Sequence, residues 1–397
     1  MSRRAIISIL LALVLLTAGS VLLWRYIPST PKTTGDGTEN VAYIGISTET
    51  SGSLTSNDRN NLFWTSKSGS GGVAFSTAPT YFPSLLRLGK GFATPDEDSI
   101  LLVNQDLQGK KNLPVPGLKT GTQSASASSL DYSHGAFLFN TSTSTTPNAK
   151  KVVAVTSEKT RTIDRDNHVS ALTACNDGIV KWIEFYPQDT EKVDSAGTAK
   201  IVTWKVDGTL ETSNILWKFP YELGHENQLS CNSPSSTVIS EDENGNPLSL
   251  ILESRGKETI VKNTVKLPAV SPPAMARFST VFQDTLYSLD RNNVLTSTNI
   301  KTGKLIYSEL LDIEGPSPIS ITFEKDKAFL VIRPDRFMNR QAVLPIDLKR
   351  PYCTGEVVAL KGYDETSQKS KLERLGDSFM ATTTVLPKDS DSPLTCQ

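Results

Sequence analysis

Histidine is nearly missing from this chain: His134, His168 and His225 are the three among 397 residues. An imidazole metal site needs several such ligands converging, so these three, each beside turn residues, are read as turn or surface side chains. Cysteine is scarce as well. Its four copies include neither a C-x-x-C pair nor two adjacent residues, which sets aside zinc ribbons and thioredoxin-like redox chemistry. Positive charge has no surplus: 41 Lys and Arg face 42 Asp and Glu, for a net charge of −1. Without a basic excess there is nothing to displace counterions from a phosphate backbone, so nucleic acid is not an expected partner. No G-x-S-x-G elbow, G-x-G-x-x-G turn or phosphate loop occurs, and Gly69-Ser70-Gly71-Gly72 follows no apolar strand that would make it a nucleophile elbow. The sequence therefore assigns no catalytic residue, no cofactor-binding residue, no metal ligand and no cofactor. After residue 40 it also lacks any amphipathic helical stretch of useful length; the helix-forming run 367–375 is short and polar.

What the chain has in quantity begins at its N-terminus. Residues 5–23, AIISILLALVLLTAGSVLL, are apolar almost without interruption. At 1.5 Å per residue, about 20 such residues cross a ~30 Å hydrocarbon core. Arg3 and Arg4 precede the run and Trp24 and Tyr26 follow it, the flanks of an anchor whose N-terminus stays inside. The run exceeds the ~7–15 apolar residues of a cleaved signal. Cleavage near Thr17-Ala18-Gly19-Ser20 is the alternative, and both routes export the rest. Residues 28–40, PSTPKTTGDGTEN, hold nothing that packs and read as a linker. The expected organisation is a cytoplasmic segment 1–4, a transmembrane signal-anchor helix 5–27, a flexible linker 28–40 and an extracytoplasmic domain 41–397. Ala18-Gly19-Ser20 also offers a small-residue patch for pairing with another membrane protein.

Export changes the reading of the cysteines. Cys175, Cys231, Cys353 and Cys396 all lie beyond the anchor, and an even number in an oxidising compartment suits two disulfides. Three pairings exist. Leu172-Thr173-Ala174-Cys175-Asn176 resembles Leu229-Ser230-Cys231-Asn232, as though from equivalent strands of neighbouring units, which favours Cys175 with Cys231 and Cys353 with Cys396.

The domain reads as all-β. Short runs rich in β-branched and aromatic residues recur at 41–46, 100–103, 136–139, 152–155, 179–185, 201–204, 248–252, 285–289, 328–332 and 379–386, bounded by Gly, Asn, Asp, Ser and Pro clusters. Glu243-Asn244-Gly245-Asn246 suits a type I′ hairpin turn. An Asp-Arg-x-Asn signature starts at Asp58, Asp164 and Asp290 and suggests repetition. Seven units of about 51 residues, the size of a four-stranded blade, fill 41–397, with centres near residues 60, 100, 145, 190, 245, 295 and 345. A closed ring protects the edges that so many strands would otherwise expose, and strand 41–46 is expected to pair with C-terminal strands to shut it. The expected fold is a β-propeller of seven blades behind one transmembrane helix, with tandem β-sandwiches as the alternative.

Asp284-Thr285-Leu286-Tyr287-Ser288-Leu289-Asp290, followed by Asn299-Ile300-Lys301-Thr302-Gly303-Lys304-Leu305, resembles the strand–turn–strand pattern of quinoprotein-like (PQQ-like repeat) β-propellers. The resemblance is clearest over 284–307, where Tyr307 stands in place of the usual tryptophan. It implies a propeller. Catalytic members of that family hold a quinone and calcium in a central funnel, commonly beside a vicinal cysteine pair. This chain has no such pair and its other units lack the K-T-G turn, so the resemblance carries architecture and no cofactor.

Weaker motifs complete the reading. Asp242, Asn244 and Asn246 with Glu253 have oxygen ligands at EF-hand-like spacing, but Pro247 interrupts the loop and strands flank it, so a polar hairpin is expected. Asp164, Asp166 and His168 form a lesser version. Trp64, Trp182, Trp204 and Trp217 are expected in cores between blades rather than as sugar-stacking platforms. Asn140-Thr141-Ser142 is a glycosylation sequon. The function expected is a membrane-anchored, non-catalytic binding or scaffolding module at the cell envelope, with an envelope protein or polysaccharide as partner. The alternative is an envelope enzyme, either a polysaccharide hydrolase or a degenerate quinoprotein dehydrogenase. It would need acids such as Asp177, Asp207 and Asp326 to converge in the central funnel.

Overall fold

The computed structural model describes residues 41–50, 59–67, 70–78, 83–118, 122–142, 149–187, 197–219, 229–231, 235–242, 244, 246–268, 278–290, 292–313, 318–333, 341–361, 379–391 and 394–396. The 5–27 anchor, the 28–40 linker, Asp58, His225 and the 367–375 run lie outside the described residues. Among the described residues no helix is long and apolar enough to cross a membrane. The chain divides into two compact units, 1–33 and 34–397, and only the second is described below.

Among the described residues twenty-eight strands, numbered in chain order, form six hydrogen-bonded sheets. The first sheet runs β28 (Phe379–Pro387), β1 (Val41–Thr50), β2 (Asn60–Ser66), β3 (Gly71–Thr77). The second holds β4 (Leu86–Leu88), β5 (Gly91–Asp96), β6 (Ser99–Val103) and β7 (Lys110–Pro114). The third holds β8 (Thr122–Ser128), β9 (His134–Asn140), β10 (Lys150–Thr156) and β11 (Thr160–Arg165). The fourth has seven strands. Its first four are β12 (His168–Cys175), β13 (Ile179–Pro187), β14 (Gly197–Lys205) and β15 (Leu210–Phe219), followed in space by β18 (Glu258–Lys266), β17 (Pro247–Arg255) and β16 (Ser235–Glu241). The fifth is β19 (Phe278–Phe282), β20 (Thr285–Leu289), β21 (Val294–Asn299) and β22 (Leu305–Leu310). The sixth is β23 (Ser320–Glu324), β24 (Lys327–Ile332), β25 (Ala342–Asp347) and β26 (Arg350–Thr354), with β27 (Val358–Ala359) beside β25. Among these pairings one is parallel: residues 214–216 of β15 with 258–260 of β18, where two antiparallel runs meet at their edges.

Packing explains the apolar runs. Ala136 and Leu138 of β9 pack on Trp182 and Val202, while Phe137 and Phe139 of the same strand pack on Leu86 and Ile100. Side chains alternate across a strand, so a strand sandwiched on both sides must be apolar at every position. Each large side chain so buried contributes roughly 1.5–3 kcal/mol. Among the described residues seven apolar layers follow one another in this way. One sets Val238 and Leu250 face to face with Ile183 and Phe185, so the seven-stranded sheet folds back on itself. The last sets Phe329 and Val331 against Tyr43, Phe63 and Val385, returning to the first sheet. The fold is all-β and propeller-like.

The ends of the chain close it as expected. β28 pairs antiparallel with β1 from Tyr43↔Pro387 to Thr50↔Phe379. Cys175 is bonded to Cys231 and Cys353 to Cys396. Cys175 ends β12. Cys231 ends the short segment 229–231, which lies alongside β16 through the antiparallel bridge Leu229↔Val238. The Asp-Arg-x-Asn signature needs correction. At Asp164 it leads from one sheet into the next, whereas at Asp290 it forms a hairpin inside a sheet, so these two copies are not structural equivalents. The K-T-G turn has a local reason. Asn299 Oδ1 accepts the N–H groups of Lys301 (3.0 Å) and Thr302 (2.9 Å), and Gly303 adopts φ +69°. A Cβ on Gly303 would also lie 2.3 Å from the carbonyl oxygen of Lys266, so no other residue fits there.

Candidate functional site

A cavity of about 480 Å³ lies where the innermost segments of the sheets converge: β4, β8, β12, residues 229–231, β19, β23 and β28. These segments differ in composition from the sandwiched strands because one side of each meets the cavity. β8 is TQSASAS, a strand of small side chains, and its residues 124–128 all border the cavity. Thr173, Thr280, Thr322 and Thr384 bring hydroxyls from four further strands. Ser128 donates to Arg87 O (3.1 Å) and Ser124 to Leu138 O (3.3 Å), while Thr322 Oγ1 accepts the Val385 N–H (3.1 Å). The side-chain hydroxyls of Ser126, Thr280 and Thr384 make no hydrogen bond among the described residues.

Charge enters the cavity in compensated form. Arg87 on β4 and Glu324 at the end of β23 form a buried ion pair, 4% and 5% exposed, with Arg87 Nε and Nη2 reaching both carboxylate oxygens. The same guanidinium donates to the carbonyls of Pro387 and Lys388 (the latter 3.1 Å) at the end of β28. It also stacks 5.0 Å from the Phe92 ring centroid and 5.7 Å from that of Tyr132. One side chain thus ties the second sheet, the sixth sheet and the closing strand. The Lys325 ammonium caps Tyr132 at 4.8 Å and pairs with Asp391 at 3.3 Å. Burial, then the charge of Glu324, pushes the Tyr132 hydroxyl well above the ordinary phenol range. The other lining acid, Asp284, pairs with Lys301 at 2.7 Å.

The residues singled out from sequence fall elsewhere. Asp177, Asp207 and Asp326 sit in separate turns, and none lines the cavity; Asp326 pairs with Lys349 at 2.9 Å. Asp242 closes its own hairpin by accepting from the N–H groups of Asn244 and Asn246 (both 2.9 Å), and Glu253 pairs with Lys262 at 2.8 Å. Among the described residues no group of three His, Cys, Asp or Glu side chains is placed to hold a metal ion. His134 is buried, its Nε2 3.1 Å from Ile179 O. Trp182 and Trp204 meet edge to face at 6.4 Å inside the layer between the third and fourth sheets, and Trp64 is buried too. Asn140 Oδ1 accepts the Ser142 N–H at 3.2 Å, so the sequon is a turn at the end of β9.

Sequence reading passed over two of the buried charges. Arg87 is the lone charge in Leu85-Leu86-Arg87-Leu88, and Glu184 is the lone charge in Trp182-Ile183-Glu184-Phe185-Tyr186. A charge inside an apolar run is the signal, since a buried charge persists only with partners. Glu184 is fully buried and accepts from Arg165 Nη2 (2.9 Å), Trp182 Nε1 (3.1 Å) and Tyr186 Oη (3.0 Å). Burial opposes its ionisation, but the bonds from Arg165 and Trp182 and the charge of Arg165 outweigh it and hold its pKa below the usual range.

No protein-family model matches this chain, and no curated protein matches it. Among solved structures it is similar to a chain of a nidogen/laminin complex, at 13% identity over 67% of this chain and 92% of that one, with a TM-score of 0.34. It is also similar to a chain of a mitotic checkpoint complex, at 13% identity over 72% of this chain and 83% of that one, with a TM-score of 0.43. A third is apo AztD from Citrobacter koseri, at 10% identity over 81% of this chain and 96% of that one, with a TM-score of 0.43. None of these likenesses assigns this chain a family, a ligand or an activity.

Proposed function

We propose that this protein is a membrane-tethered, extracytoplasmic propeller of seven blades that acts as a non-catalytic binding or scaffolding module, with the axial cavity as its ligand seat. Seven successive apolar layers and seven innermost segments around one cavity support the blade count. On this count residues 229–231, β16, β17 and β18 make one four-layered blade, and the parallel contact of β15 with β18 joins two blades at their rims. The quinoprotein-like pattern at 284–307 is then one blade of this ring, kept for its turn. Two disulfides favour an oxidising compartment, and the apolar run 5–23 favours a membrane tether. The observation that carries the reading is the state of the cavity's acids. A glycosidase needs two carboxylates facing each other across the substrate, whereas Glu324 and Asp284 each face a cation.

The test uses the full chain in intact cells, with a phosphatase that folds only in an oxidising compartment fused after Gln397 and a photo-crosslinker at Ser126. The expected result is an active phosphatase and a discrete adduct that a crosslinker at Glu309 on the outer strand β22 does not form. A cytosolic, inactive phosphatase, or equal labelling from both positions, contradicts the proposal.

A further inference from the structure

The wall chemistry of the cavity narrows its ligand. Three hydroxyls from three different strands, Ser126 of β8, Thr280 of β19 and Thr384 of β28, line it without a hydrogen-bond partner among the described residues. A polar group facing a cavity without a protein partner is satisfied by water or by a ligand. Hydroxyls donate and accept alike, so they suit a ligand that does both. Phe282 and Phe323 line the same space and are only partly covered by the core behind them, which leaves apolar surface for C–H faces. The charged side chains are already paired: Arg87 with Glu324, Lys301 with Asp284 and Lys325 with Asp391. Each pair is neutral as a unit and so offers an anionic ligand no uncompensated counter-charge; Arg87–Glu324 is buried and costly to break, while the other two pairs are partly exposed. A cation meets the same obstacle. About 480 Å³ lies within the ~300–1,000 Å³ of small-molecule sites.

We infer that the axial cavity binds an uncharged, hydroxyl-rich ligand with apolar faces, that is, a neutral saccharide unit of two or three rings. This rests on the reading of the cavity as a ligand seat and deepens it. Neutral sugars carry alternating hydroxyl and C–H surfaces, which match hydroxyls spread over several strands beside aromatic edges. The ion pairs then hold the walls in place and do not touch the ligand.

The full chain, purified in detergent, is titrated calorimetrically with cellobiose, N,N′-diacetylchitobiose and maltose. Citrate and glucose 6-phosphate serve as charged probes. At least one neutral disaccharide is expected to bind with a Kd below about 1 mM, and the charged probes at least ten-fold more weakly. Ser126→Phe, which fills the cavity, is expected to weaken binding more than ten-fold, and Ser126→Ala by about 2- to 12-fold, the range for one neutral hydrogen bond. Retention of both disulfides and of the melting temperature shows that each variant is folded. Tighter binding of a charged probe, abolished by Ser126→Phe, overturns the saccharide inference while leaving the ligand seat intact. Binding of none of the five probes below 10 mM overturns the saccharide inference. Sugar binding unaffected by Ser126→Phe overturns both, since the ligand then sits elsewhere.

Discussion

Glu184→Gln is expected to destabilise the domain by ~3–5 kcal/mol, the cost of removing one partner from a buried pair. Glutamine is nearly isosteric, so packing against Trp182 is kept and the effect isolates charge and hydrogen bonding. Every neighbour of Glu184 is a donor: Arg165, Trp182 and Tyr186, with Asn167 Nδ2 at 3.4 Å. The new amide would turn two further donors toward them and leave the Arg165 guanidinium without its counter-charge. The change also alters the response to pH. Because the folded pKa of Glu184 is depressed, its contribution is complete above the ordinary carboxylate value near 4.5 and is lost as pH falls below it. The difference in stability between wild type and Glu184→Gln should therefore narrow from pH 7 to pH 3.5, by at most about 1.4 kcal/mol for each pH unit below 4.5. A difference between the two proteins that does not shrink on acidification would show that Glu184 is not the ionised, fully bonded group described here.

Arg87→Ala is expected to cost a similar ~3–5 kcal/mol, because it strands Glu324 in a buried site and unties the end of β28. Arg87→Met combined with Glu324→Leu removes both charges while keeping volume, and should lose much less than either single change. A double-mutant cycle followed by chemical denaturation measures this coupling directly. Additive single and double effects would show that the two side chains do not act as a pair. The position of Arg87 makes the expected loss specific in kind. Its guanidinium reaches two backbone carbonyls of the strand that closes the ring, so the variant should lose protection from hydrogen exchange first in β28 and β1, before the third and fourth sheets.

How legible these features are in the sequence follows from which face of a strand meets what. Ten apolar runs read from sequence, among them 136–139, 152–155 and 285–289, all fall on strands, mostly second and third strands sandwiched between layers. Burial on both sides removes every polar position, and the run becomes visible. Apart from β28, first and fourth strands carry no such run. β8 lines the cavity and reads as a serine-rich loop, while β11, TRTIDR, and β18, ETIVKNTVK, form outer rims and read as polar segments. Their strand character comes from hydrogen bonding to a neighbour, which periodicity along one segment does not report. The closing pair β28–β1 was legible because both strands are apolar and the chain ends needed each other.

The site was harder to read for a related reason. The cavity is built from short contributions of seven segments spread from residue 84 to residue 386. No local motif marks any of them, because hydroxyls on an inner strand look like hydroxyls in a turn. The acids at Asp177, Asp207 and Asp326 drew attention as turn residues, yet turn acids here serve their own turns or pair with a lysine, as Asp326 does with Lys349. The informative acid was Glu324, which follows Ile321-Thr322-Phe323 and whose partner lies 237 residues away. Such a pairing depends on closure of the ring, which is a property of the whole chain and of no single stretch.

Closure in an oxidising compartment is the claim on which the remainder rests, and a disulfide map tests it most directly. The protein is taken from the cells that make it, alkylated in denaturant without reductant, digested and analysed by mass spectrometry. Two cross-linked peptide pairs are predicted, Cys175 with Cys231 and Cys353 with Cys396, and no alkylated cysteine. Four alkylated cysteines would place the chain in a reducing compartment, and a bond joining either of the first two cysteines to either of the last two would contradict the ring.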